Sequence, residues 1–156
     1  MKAEDFARSL PADARLLGID LGTKTLGLAL SDVTRTIASG LTTLTRGKFS
    51  DDARRLLALA EEHRLGGLVI GLPVNLNGTE GPRAQATRAF ARNLAKLTAL
   101  PMLLWDERLS TAAAERALLE ADASRRRRAD VIDKVAATLI LQGALDRLKR
   151  IDRQAQ

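Results

Sequence analysis

The chain of 156 residues contains no cysteine and no tyrosine, and only one histidine and one tryptophan. Without cysteine it has no disulfide framework and no thiolate metal site, which fits a cytoplasmic protein. Aromatic residues make up 3% of the chain. That is too few for the aromatic platforms on which the common single-strand binding modules stack unpaired bases, so contact with a polyanion would run through phosphates. No apolar run approaches the roughly 18 residues needed to span a bilayer. The opening stretch MKAEDFARSLPADAR is charged throughout and lacks the apolar segment of a signal peptide.

What is present suffices for one folded domain. Hydrophobic residues are 46% of the chain, and the formal net charge of +6 favours polyanionic partners, nucleic acid first. Residues 1–15 read as an extension with a short helix ending before Pro11, 16–149 as the domain, and 150–156 as a frayed tail.

Alternating leucines predict strands over 16–21 and 26–31, joined by a tight turn. Gly27 and Ala29 lie opposite the leucines of the second strand, where small residues admit a close neighbour. A third, Thr-rich strand covers 36–45. Ser50 is the expected N-cap of a helix whose apolar face is Ala53, Leu56, Leu57 and Ala60, closed by Gly66. His63 sits at its end. The wholly apolar run 68–72 suits a central parallel strand. Thr79 is the expected cap of a helix over 80–98, and a strand over 102–105 follows Pro101. A helix is expected over 110–121 and another over 130–149. Between them Arg125, Arg126, Arg127 and Arg128 show no apolar periodicity and read as an exposed loop, either a solvated charge run or a clamp on phosphates. The order βββαβαβαα implies an α/β fold, a mixed sheet with helices on both faces.

Three places carry acids where the pattern calls for apolar residues. Asp20 interrupts the first strand, and a carboxylate there is costly to bury unless hydrogen-bonded, paired or bound to metal. Asp133 falls on the face of the last helix shared by Ala136, Ala137, Ile140 and Ala144. Asp106 and Glu107 end the fifth strand, and periodicity does not choose between them, because neighbours on a strand face opposite ways. Three carboxylates brought together would repel. Mg²⁺ or Mn²⁺, two ions bridged by these acids, would resolve that repulsion and suit hydrolysis of a phosphodiester.

The segments GIDLGTKTLGLALSD, GLPVNLNGTEGP, DERLST and DVIDKVAATLILQ, in this order, resemble the YqgF (RuvX) family. Its members are ribonuclease H-like proteins described as Holliday junction resolvases and as nucleases for pre-16S ribosomal RNA. The likeness runs from Leu16 to about Leu148. It implies a five-stranded sheet of order 3-2-1-4-5. It also carries over Asp20, Glu107 and Asp133 as the catalytic and metal-holding acids. Asp130, three residues before Asp133, is at a position where the family does not regularly have an acid, and reads as a helper or a helix cap. It makes 73–80 the substrate-facing loop, with Asn75 and Gly78 in a turn whose amides would meet phosphate. Lys24, Arg108 and Arg125–Arg128 would position the phosphodiester backbone.

These features lead to an expected metal-dependent nuclease that processes the 5′ end of precursor 16S ribosomal RNA. Its partners would be RNA in preference to DNA, within ribosomal precursor particles, and the protein itself a monomer or homodimer. A resolvase of four-way DNA and a non-catalytic RNA-binding maturation factor are the alternatives. DLGT at Asp20 also looks like the phosphate hairpin of actin-like ATPases, but a second DxGT is lacking.

Overall fold

The computed structural model describes residues 1–110 and 125–155, and for 125–133 and 155 the backbone alone. In chain order the elements are α1 (Ala3–Ser9), β1 (Arg15–Leu21), β2 (Thr25–Ser31), β3 (Ala38–Thr45), α2 (Phe49–Glu62), β4 (Leu65–Leu72), α3 (Pro82–Ala95), β5 (Met102–Asp106) and α4 (Arg125–Ala155). A 3-10 turn, Glu107–Leu109, follows β5. The expected helix over 110–121 lies almost wholly outside the described residues.

The five strands form one sheet in the order β3-β2-β1-β4-β5. The hairpin pairs β1 with β2 and β2 with β3 antiparallel, whereas β1–β4 and β4–β5 are parallel. The carboxyl ends of β1, β4 and β5 therefore share one end of the sheet. This is the ribonuclease H-like arrangement, with helices on both faces.

Period two sorts the central strands into two packed layers. Leu17, Ile19 and Leu21 join Leu68 and Ile70 against Leu56 of α2 and Phe90 and Leu94 of α3. Phe49 and Phe90 meet edge-on at 5.4 Å between the rings, which ties α2 to α3. The opposite face carries Leu16, Val69, Leu103 and Trp105, under Ala137, Ile140, Leu141 and Ala144 of α4. The small residues on this face let α4 lie close. A Cβ at Gly18 would stand 2.7 Å from Leu141 Cβ and 3.0 Å from the Ala137 carbonyl oxygen.

Several local expectations are corrected. The residue capping α2 is Lys48 rather than Ser50, and no side chain of its own serves as the cap. Instead buried Asp52 accepts the Gly47 N–H at 3.0 Å and an Arg55 N–H at 2.6 Å. The chain leaves α2 through Arg64, whose φ is +52°, and Gly66 already belongs to β4. Gly81 and Pro82, not Thr79, begin α3. Arg125–Arg128 belong to the first turn of α4 rather than to a loop, and the helix runs on through the expected tail to Ala155. Asp130 thus lies inside the helix and is not its cap. A polar side chain of α4 also ties the helix down. The Gln142 side chain accepts the Ala38 N–H at 2.9 Å and donates to the Thr36 carbonyl at 3.0 Å, which fastens the helix to the edge of β3.

The N-terminal helix also does more than extend the chain. Phe6 is fully buried in the α4-side layer. A Cβ at Gly67 would meet its ring at 2.9 Å.

Candidate active site

The site forms at the end of the sheet where the parallel strands finish, the position at which open α/β sheets receive ligands. Asp20 follows Ile19 on β1, whose partner on β4 is Ile70, so Gly71 lies beside it. By alternation Gly18 and Asp20 face α4. On β4, Gly71 faces the same way, because a Cβ there would meet Ile140 of α4 at 2.5 Å. It would also meet Glu107 Cγ at 3.4 Å. The Glu107 side chain therefore turns back over Gly71, on the face that bears Asp20. Both acids are buried, at 3% and 5% exposure, the two lowest-solvent carboxylates among the described residues apart from Asp52.

The geometry distinguishes Asp106 from Glu107. Asp106 ends β5 with its carboxylate turned to the start of the 3-10 turn, where it accepts the Arg108 N–H at 2.9 Å. The Arg108 guanidinium grips the same carboxylate, at 3.1 Å from Nε and 2.7 Å from Nη2. This contact chiefly, with the Arg108 backbone N–H, holds the Asp106 carboxyl below the usual carboxylate range. Asp106 is thus a capping and pairing acid, and Glu107 is the one on the face that bears Asp20.

Arg108 also reaches the loop after β4, where its Nη1 lies 3.5 Å from the Leu76 carbonyl oxygen. That loop is tied within itself. Asn75 N–H donates to the Thr79 carbonyl at 2.9 Å, and Gly78 N–H to the Asn75 carbonyl at 2.8 Å. Gly78 takes φ +89°, a left-handed conformation that glycine accommodates without strain. The amides of Asn75 and Gly78 are consequently spent inside the turn, so the expectation that they receive phosphate is overturned. Thr79 donates its hydroxyl to Asn77 Oδ1 at 2.6 Å, and Glu80 pairs with Arg88 of α3 at 2.5 and 2.8 Å. The loop is a preformed shape, and a cleft opens between it and Glu107–Ser110.

Lys24 is exposed in the turn between β1 and β2, one turn beyond Asp20. Arg46, which the sequence reading passed over, donates its Nη1 to the Gly22 carbonyl at 2.6 Å and fixes that same turn. Its only sequence signal is a cation just past the predicted third strand. His63 lies at the C-terminus of α2, next to the start of β4 and so at the far end of the sheet.

Asp133 is part of α4. Ala137, one turn further along that helix, touches the position of Gly18. The helix runs antiparallel to β1 here, so its backbone at 133 lies toward Asp20, and Arg125–Arg128 begin the helix beyond it. The side chains of these five residues fall outside the described set, so Asp20 and Glu107 are the two site acids whose side chains the structure brings to one face.

As for a cofactor, the acids fit hard divalent cations. Their donors are carboxylate oxygens, buried on one face, with no thiolate in the chain and the one imidazole at the opposite end of the sheet.

Residues 14–147 match the family model RuvX, described as Holliday junction resolvase. A relative from Cereibacter sphaeroides strain KD131, named "Putative pre-16S rRNA nuclease", is 61% identical over 153 residues, covering 98% of this chain and 96% of its own. A relative of the same name from Paracoccus denitrificans is 61% identical over 150 residues, covering 96% of this chain and 95% of its own. Among solved structures, the yeast mitochondrial Holliday junction resolvase Ydc2 superposes with a TM-score of 0.54 at 13% identity, over 97% of this chain and 86% of its own. RuvC of T. thermophilus in complex with a Holliday junction substrate gives 0.52 at 15% identity, over 86% and 95%. At these identities the two structures speak to the fold.

Proposed function

The chain belongs to the RuvX family, and from that premise we propose that it is a metal-dependent nuclease that matures the 5′ end of precursor 16S ribosomal RNA in the cytoplasm. The observation that carries the chemistry is the pairing of Asp20 and Glu107, two buried acids on one sheet face at the carboxyl ends of parallel strands. The names of relatives at 61% identity supply the substrate.

Asp20, Glu107 and Asp133 would hold Mg²⁺ or Mn²⁺, two ions in the full site. Bound there, the ions supply activation of water and neutralisation of charge at the phosphate. The chain's own residues do the rest. Asp20 and Glu107 are held rigidly by the sheet and by the cap that Asp106 gives the following turn, so little reorganisation accompanies reaction. Arg108, Lys24 and Arg125–Arg128 draw the phosphodiester backbone to this end of the sheet, with affinity that falls as salt rises. Asn75 and Gly78 contribute the shape of the loop rather than amide donors.

A second reading, cutting of four-way DNA, is favoured by the description of the family model. One experiment separates them. Labelled precursor RNA and a four-way DNA junction are incubated with the wild type and with Asp20→Asn, in Mg²⁺ or Mn²⁺ and in chelator. RNA cutting that needs metal and disappears in Asp20→Asn supports the proposal. Junction cutting alone moves the assignment to recombination. Tight RNA binding without any cutting returns the protein to a binding factor.

A further inference from the structure

Leu76 is the most exposed large apolar residue among those described, with 94% of its surface open to solvent. An isolated exposed leucine needs no explanation. This one differs in how it is held. It sits between Asn75 and Asn77 in the loop whose hydrogen bonds run from Asn75 to Thr79, from Gly78 to Asn75 and from Thr79 to Asn77. Arg108 reaches its carbonyl oxygen, and Glu80 anchors the loop to α3 through Arg88. The loop cannot relax inward to cover the side chain without breaking that set.

Beneath the leucine lies the cleft that Glu107 shares. Its lining on the loop side includes the apolar Pro73, Val74, Leu76 and Pro82 beside Asn75 and Arg83, and Glu107 and Arg108 line it opposite. So a largely apolar surface adjoins a site built of acids and cations. A phosphate backbone alone has no use for such a surface, but a base has. Apolar side chains inserted at a base step unstack it, and an unstacked base needs an apolar face to replace its neighbour.

We propose that Leu76 is a wedge that unstacks one base beside the scissile phosphate, and that the cleft against Pro73, Val74 and Pro82 receives that base. This rests on the nuclease reading and adds to it how the substrate is distorted. Arg108, at once beside the loop and beside Glu107, sets the phosphate in register with the displaced base. The chain then selects sites where unstacking is easy, such as the junction of a duplex with a single strand, over continuous duplex.

The test reads base stacking without cutting. An RNA duplex with a single-stranded extension carries 2-aminopurine at successive positions around the junction and a dye at one end. Binding is followed by dye anisotropy at low salt in EDTA, and stacking by 2-aminopurine emission. Among the described residues no aromatic ring lines the cleft, so a base leaving the stack there brightens rather than being quenched again. The wild type should give a several-fold rise at one position. Leu76→Ala should lose the rise at protein concentrations where anisotropy shows the RNA saturated, and Leu76→Met should keep it. Because Leu76 packs on so little, its replacement leaves the melting temperature unchanged. Binding by the wild type with no rise at any position, or a rise that survives in Leu76→Ala, overturns the wedge and leaves the nuclease reading intact. Failure of the wild type to bind RNA at all overturns both.

Discussion

The Glu107 side chain lies across Gly71, with its Cγ 3.4 Å from where a Cβ on that glycine would stand. The same missing Cβ leaves room for Ile140 of α4, at 2.5 Å. One hydrogen in place of a methyl group therefore lets α4 close on β4, with the buried Glu107 side chain in contact beside them.

Gly71→Ala should accordingly act on the packing of α4 rather than on the acid. The added methyl group would stand 2.5 Å from buried Ile140, which must shift, whereas 3.4 Å from Glu107 Cγ is an ordinary contact. Overpacking of this kind costs about 1–3 kcal/mol. We expect a lower melting temperature in thermal unfolding, with turnover per folded molecule close to that of the wild type. An unchanged melting temperature would show that Ile140 yields freely and that the glycine is not needed for the approach of the helix.

The link from Asp106 through Arg108 to Leu76 predicts a different balance. The pair is partly exposed, and such pairs contribute about 0–1 kcal/mol, so Arg108→Ala should scarcely change the melting temperature. Its guanidinium meets Asp106 through two nitrogens while reaching the loop with a third. A lysine cannot reproduce that geometry. Both Arg108→Ala and Arg108→Lys should raise KM for RNA several-fold. Full recovery by lysine would reduce Arg108 to a simple positive charge.

Much of this was legible in the sequence, for physical reasons that also mark where reading stops. The alternation of Leu26, Leu28 and Leu30 against Gly27 and Ala29 announced both the strand and the face on which α4 lies. Asp20 stood out because a buried strand has no place for an unsupported carboxylate. Arg125–Arg128 misled because periodicity is read from apolar residues, and a helical turn of four arginines has none, although arginine is a good helix former. Asn75 and Gly78 were rightly placed in a turn, but a sequence does not say whether a turn's amides face outward or close on its own carbonyls. Periodicity leaves Asp106 and Glu107 equivalent, since what separates them is the cap that Asp106 makes with the Arg108 N–H.

Phe6 carries no signal of burial in the sequence, because the stretch around it reads as a charged extension, yet it is wholly buried against Gly67 and the α4-side layer. Phe6→Ala should destabilise the protein by about 3–5 kcal/mol, the usual range for emptying a buried phenylalanine site. Denaturant unfolding measures this directly. A change below about 1 kcal/mol would mean that α1 docks weakly and that the remaining core folds without it.

Asp32 yields a prediction in pH. Its carboxylate accepts the Thr34 hydroxyl at 2.5 Å and the N–H groups of Ile37 and Thr36 at 3.0 and 2.8 Å, closing the turn between β2 and β3. These bonds, that from Thr34 foremost, lower its pKa from 3.8 to about 2. Above about pH 4 the carboxylate is ionised in folded and unfolded chains alike, and its full contribution to stability is present. As the pH falls from about 4 to about 2 the unfolded chain takes up the proton first, and the contribution drains away. Asp32→Ala should therefore melt below the wild type by a constant margin near neutrality, and the margin should close across that acidic interval. A margin that stays the same down to pH 2 would assign the effect to the shape of the turn and not to the charge that its donors hold.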